Sequence, residues 1–193
     1  MADAYPVAFN VTRPEKFERP QVFIRLIALF FLGILGYGAF LLVPLLNAIW
    51  ISQKGSERFL KEDGPKLKSW ATFITALYSY AYLLTDKFPS TEEPGIQYDV
   101  QISGSPTLGS ALLRWITSIP ILIFAAILGW VAGVIWFIGS VMILLQETYP
   151  EGLYDFQRGV MRVYGRLIAY HFSLTDQYPP FAFDTGEEAA ATA

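Results

Sequence analysis

Leu84-Thr85-Asp86-Lys87-Phe88-Pro89 recurs as Leu174-Thr175-Asp176-Gln177-Tyr178-Pro179, and Val7-Ala8-Phe9-Asn10-Val11 recurs as Ile96-Gln97-Tyr98-Asp99-Val100. The second pair is offset by 89 residues and the first by 90, and Arg25 opens an apolar block as Arg114 does. One inserted residue reconciles the two offsets. The chain therefore reads as two tandem units, residues 1–90 and 91–184, with a small acidic tail, 185–193, expected to be disordered.

Apolar residues make up 53% of the chain, and two blocks carry no charge at all, Leu26 to Ile51 and Trp115 to Gln146. About twenty apolar residues cross a hydrocarbon core, so blocks of this length predict an integral membrane protein. No cleavage pattern follows the first block, which is expected to direct insertion itself. Cysteine is absent, excluding disulfides, thiolate metal sites and a cysteine nucleophile. A net charge of −3 argues against a nucleic-acid partner.

As single helices the blocks would be about 39 and 48 Å long, and the second overshoots the hydrocarbon. Basic residues fall into three clusters, around Arg13 to Arg25, Lys54 to Lys68 and Arg158 to Arg166. Hairpins, transmembrane or re-entrant, would put all three clusters and both termini on the cytoplasmic side, as positive flanks prefer, and are favoured over the alternative of single tilted spans. The expected turns lie near Gly36-Tyr37-Gly38 and Leu128-Gly129-Trp130. Gly33, Gly36, Gly129 and Gly133 are the candidates for close helix packing, and Pro44 and Pro120 for tolerated kinks.

After each block comes an amphipathic helix expected to lie in the membrane interface. In the second unit Val160, Val163, Tyr164, Leu167, His171 and Leu174 share one face, and Arg158, Arg162 and Arg166 recur on another. The arginines, with Tyr164 and Tyr170, are expected to meet lipid headgroups or a partner. In the first unit Asp63-Gly64-Pro65 opens the corresponding helix, with Asp63 as its cap. Alternation at Val7, Phe9 and Val11, and at Ile96, Tyr98 and Val100, predicts a short strand opening each unit, the two pairing across a pseudo-twofold axis. Ser90 to Gly95 reads as the joint. The fold class is thus an all-α membrane protein of two parallel repeats, each a short strand, an apolar hairpin and an interfacial helix.

Tyr149-Pro150-Glu151-Gly152-Leu153-Tyr154-Asp155-Phe156, then Gly159-Val160-Met161-Arg162, Arg166, Ala169-Tyr170 and Leu174-Thr175-Asp176-Gln177-Tyr178-Pro179-Pro180-Phe181, resemble the bacterial membrane family catalogued as domain of unknown function 4389. Tyr5-Pro6-Val7 and Arg114-Trp115 to Pro120 are similar to it as well. The resemblance implies a bacterial inner membrane setting and supplies no activity. The first unit departs from the pattern, with Phe59 to Lys66 in place of the Tyr-Pro-x-Gly-Leu signature, and Glu151 stands where that family commonly carries a basic residue.

Residues with chemical potential are few. His171 is the sole histidine and aligns with Ala81, so no symmetric imidazole pair exists; it reads as a satisfied interfacial residue before a ligand. Asp86 and Asp176 stand in both units, at a helix-to-turn junction where a carboxylate bonds local backbone groups. Asn47 is the clearest polar side chain within the apolar blocks, and packing is its expected role. No catalytic, cofactor or metal constellation is found. The expectation is a non-enzymatic accessory or scaffold subunit, surrounded by membrane lipids and packing against another membrane protein or a second copy. The alternative is binding or transport of a lipid or other apolar solute between the two units.

Overall fold

Peptide groups in a charge-free apolar stretch must find partners within the chain, and the computed structural model, which describes residues 5–90 and 95–186, meets that demand with long helices. Helix α1, Arg19–Lys54, runs 36 residues through Gly36-Tyr37-Gly38. In the second block α4, Leu108–Thr117, gives way at Ser118 to α5, Ile119–Gln146, which continues through Leu128-Gly129-Trp130. The hairpin expectation is corrected in both blocks. A turn there would strand N–H and C=O groups among apolar side chains, whereas a helix pairs each with a residue four positions away.

Pro44 is the exception inside α1, because it has no N–H to give the carbonyl of Phe40. That carbonyl accepts two bonds from elsewhere, from Trp115 Nε1 at 3.0 Å and from His171 Nε2 at 3.0 Å. The proline thus creates the acceptor by which α1 is tied to two other helices. Pro120 lies in the first turn of α5, where a missing N–H costs nothing.

The remaining elements are β1, Val7–Asn10; α2, Ser56–Glu62; α3, Gly64–Ala81; β2, Gln97–Val100; and α6, Glu151–His171. The strands form a two-stranded antiparallel sheet with Phe9 opposite Tyr98. Asp63 precedes α3 but does not cap it; its carboxylate takes Lys54 Nζ at 2.7 Å instead. Both α3 and α6 end in a Schellman turn, with Leu84 N–H bonding Ser79 O and Leu174 N–H bonding Ala169 O. Leu83 and Ser173 take the left-handed position, at φ 65° and 59°. For Leu83 that conformation costs roughly 1 kcal/mol, which full burial of the side chain offsets. Most of the joint 90–95 and of the tail 185–193 lies outside the described residues.

Three layers result. α1 and α4–α5 make the first, α3 and α6 the second, and the β1–β2 ribbon packs on the far side of α6. α6 is interior along most of its length, so its arginines, read as an outward stripe, are turned into the protein. Its Tyr154, Val160, Met161 and Ala169 are sealed from solvent. By contrast, only 11% of the most apolar stretch of α1 and 17% of that of α4–α5 is buried.

The glycines divide sharply. A methyl group on Gly36 would fall 2.5 Å from the Tyr78 hydroxyl and one on Gly129 would fall 2.9 Å from that of Tyr164, so both sit at close approaches. Gly33 and Gly133 face open space. Among these helix glycines Gly139 is the most crowded, since a Cβ there would overlap three atoms of the buried Tyr149 ring, the nearest at 2.5 Å. Gly139→Ala should lower the melting temperature in detergent by an amount corresponding to about 1–3 kcal/mol, whereas Gly133→Ala should be neutral or slightly stabilising. Equal melting of the two variants would contradict this packing.

Candidate functional site

Each apolar helix begins near a buried arginine that the Leu-Thr-Asp segment claims. The Arg25 side chain is fully buried; its Nη2 donates to Thr85 O at 2.8 Å and pairs with Asp86 Oδ1, and its guanidinium lies 5.0 Å from the centre of the Tyr80 ring. The other Asp86 oxygen accepts Glu18 N–H at 2.9 Å. Arg114 repeats the pattern. It donates to Thr175 O at 3.0 Å and to Tyr170 O, pairs with Asp176 Oδ1 at 2.6 Å and sits 4.4 Å from the centre of the Tyr170 ring. Asp176 Oδ2 accepts Ser105 N–H at 2.6 Å.

These clamps use up Asp86 and Asp176. Both carboxylates neutralise a distant guanidinium and hold a distant backbone N–H, in place of the local backbone bonds expected at a helix end. The arginines were visible in the sequence only as block openers. Their signal was that one cation begins each charge-free block, 61 and 62 residues ahead of the Leu-Thr-Asp aspartate, and a cation facing such a block needs a counter-charge.

The α6 arginines point inward as well. Arg162 Nε donates to Phe9 O at 3.1 Å, Nη1 to Asp184 O at 3.0 Å and Nη2 to Asn10 Oδ1 at 3.0 Å, with the residue 1% exposed. Arg158 binds Asp155 at 2.9 Å and Thr185 O at 2.5 Å, and Arg166 lies 5.9 Å from the centre of the Tyr5 ring. Tyr170 is buried, its hydroxyl 2.8 Å from Thr117 Oγ1. Tyr164 stacks on Tyr78 at 6.2 Å between ring centroids.

His171 sits at the meeting point of α1, the α4–α5 break and α6. A carbonyl only accepts, so Nε2 carries the proton toward Phe40 O and Nδ1 accepts from Ser118 Oγ at 3.1 Å. Its ring stacks on Phe40 at 4.7 Å. Burial holds the imidazole neutral and pushes its pKa down to about 4. Asn47 is also interior, donating to Phe172 O at 2.9 Å.

Beside His171 lies an apolar cavity of about 470 Å³ between α1, α3, α5 and α6, lined among others by Gly33, Phe40, Ile74, Leu122, Ala126 and Leu167. Its volume is that of a small-molecule site. Two hydroxyls at its wall are already engaged: that of Tyr78 donates to Leu32 O at 3.1 Å and that of Tyr164 to Ala125 O at 3.4 Å. A ligand here is held by shape and apolar contact. Among the described residues no group of acidic, histidine or cysteine side chains is arranged to hold a metal ion.

With this geometry in place, comparison with known families gives one result. Residues 109–182 match the model of the family described as Domain of unknown function (DUF4389). The matched segment contains Arg114, Asp176, His171 and all of α5 and α6, hence one of the two clamps. No curated protein and no solved structure matches the chain.

Breaking a clamp leaves a buried guanidinium unpaired. Asp86→Asn and Asp86→Ala should therefore both destabilise by about 3–5 kcal/mol in detergent unfolding. The more exposed Asp176 should cost less, and Arg25→Met should recover much of the loss in the Asp86→Asn background. For His171 the unfolded state takes up a proton first, so the stability it provides is complete above its unfolded pKa of 6.5 and is lost as pH falls from there toward about 4. Replacing His171 by Gln should flatten the pH dependence of stability across that window, read against wild type in parallel titrations.

Proposed function

We propose that the chain is a non-catalytic membrane module, an accessory or scaffold subunit that packs against another membrane protein or a second copy. The observation that carries this reading is the combination of two helices long and apolar enough to cross a membrane with their low burial. Residues such as Phe30 and Trp130, 69% and 82% exposed, have no place in water. Engagement of the clamp aspartates and of His171 in structural bonds supports the absence of chemistry. The mirrored clamps, the paired Schellman turns and the pairing of Phe9 with Tyr98, its counterpart in the aligned units, support a tandem duplication.

The 470 Å³ cavity favours a second reading, in which an acyl chain or similar apolar solute occupies the space between the two halves. Purification of the full chain in gentle detergent, followed by native mass spectrometry, separates the two. A stoichiometric protein partner or a defined oligomer is the expected result; a monomer carrying only lipid would replace the first reading with the second. A chain that fails to float with liposomes would remove both.

A further inference from the structure

The elements run between the same two ends of the molecule. Arg19, at the start of α1, pairs with Glu147, just past the end of α5, at 3.2 Å, while Trp115, just ahead of α5, reaches Phe40 O farther along α1. The two apolar helices are therefore antiparallel. α3 returns along α1, from the Lys54–Asp63 pair at one end to the Arg25–Asp86 pair at the other. α6 returns along α5, with Gln157 Nε2 on Ala132 O at 2.9 Å and the Tyr164 hydroxyl on Ala125 O.

The ribbon lies at the level of that contact, not beyond it. Arg162 holds Phe9 O, and the Tyr98 hydroxyl donates to Gly165 O at 2.7 Å. Asp99, next to Tyr98, has a half-exposed side chain and pairs with Lys68 at 3.1 Å; Gln97 is exposed beside it. Charged and amide side chains thus flank the apolar helices along their length.

A crossing orientation would carry this ribbon to the middle of the hydrocarbon. Two strands alone have open edges, whose N–H and C=O groups hydrocarbon cannot satisfy, and the Lys68–Asp99 pair would lose its water. Turned by a right angle, the same molecule has no such conflict. We infer that α1 and α4–α5 lie in the plane of the membrane, immersed in a single lipid leaflet, with α3, α6 and the ribbon stacked on the aqueous side. This rests on the membrane reading above and specifies its geometry: the occupant of the exposed apolar face is one leaflet, and the chain does not span.

The chain has no cysteine, so single-cysteine nitroxide labels can be placed freely. Labels at exposed Phe23, Phe30, Leu41 and Ile49 along α1 are read in mixed phosphatidylcholine–phosphatidylglycerol vesicles as the ratio of oxygen to nickel-chelate accessibility. Impermeant thiol reagent is applied to cysteines at Lys16 and Glu57, which flank the helix. In-plane immersion predicts ratios within about twofold of one another along the helix, since its 1.5 Å rise per residue then adds no depth. It also predicts that positions 16 and 57 label from the same side. A ratio that peaks near Phe30 to Leu41 and falls at both ends, with positions 16 and 57 on opposite sides, would overturn the inference and leave the membrane reading intact. Labels shielded from both reagents would assign the face to a protein partner or second copy and overturn it too. Failure of the protein to float with the vesicles would instead overturn the membrane reading beneath it.

Discussion

A guanidinium buried at the edge of an apolar helix must be neutralised, and the two places where this chain does so hold its layers together. Arg25 and Arg114 belong to the apolar layer, whereas Asp86 and Asp176 follow the helices of the layer behind it. Each clamp joins helices that apolar contact alone would let slide, because an aliphatic surface fixes neither register nor direction. The second oxygen of each aspartate then fixes an upstream backbone group, at Glu18 and at Ser105, so the entry into each apolar helix is set by the same carboxylate.

Between the clamps the layers are joined in large part by backbone carbonyls of the apolar helices. Tyr78 takes that of Leu32, Tyr164 that of Ala125 and Gln157 that of Ala132. Phe40 O is special because Pro44 has freed it, so it can serve Trp115 and His171 fully. The lone histidine is thereby accounted for as a neutral donor, and what chemistry the interior retains is the apolar cavity next to it.

The inward turn of α6 follows from the same economy. Its arginines meet Phe9 O, Asn10 and Asp184 O, where the ribbon and the C-terminal segment present oxygen atoms that need donors. A face that reads as a headgroup collar serves equally well as a row of donors for an adjacent strand, since phosphate oxygens and carbonyl oxygens ask for the same geometry from a guanidinium.

The sequence by itself determined what depends on neighbours along the chain. It set the two charge-free blocks, the short alternating strands, the ends of both amphipathic helices near Leu-Thr-Asp, and Pro44 as a tolerated interruption. Tertiary structure alone decided that the blocks hold no hairpin turn, that Asp86 meets Arg25 across 61 residues of chain, that Gly139 meets a ring edge where Gly36 and Gly129 meet one hydroxyl, and which way the arginine stripe points. The reason is that helical periodicity says which side chains share a face and is silent on what that face meets. Partner atoms far along the chain supply that answer, and a guanidinium, a carboxylate or a missing Cβ has no preference until they arrive.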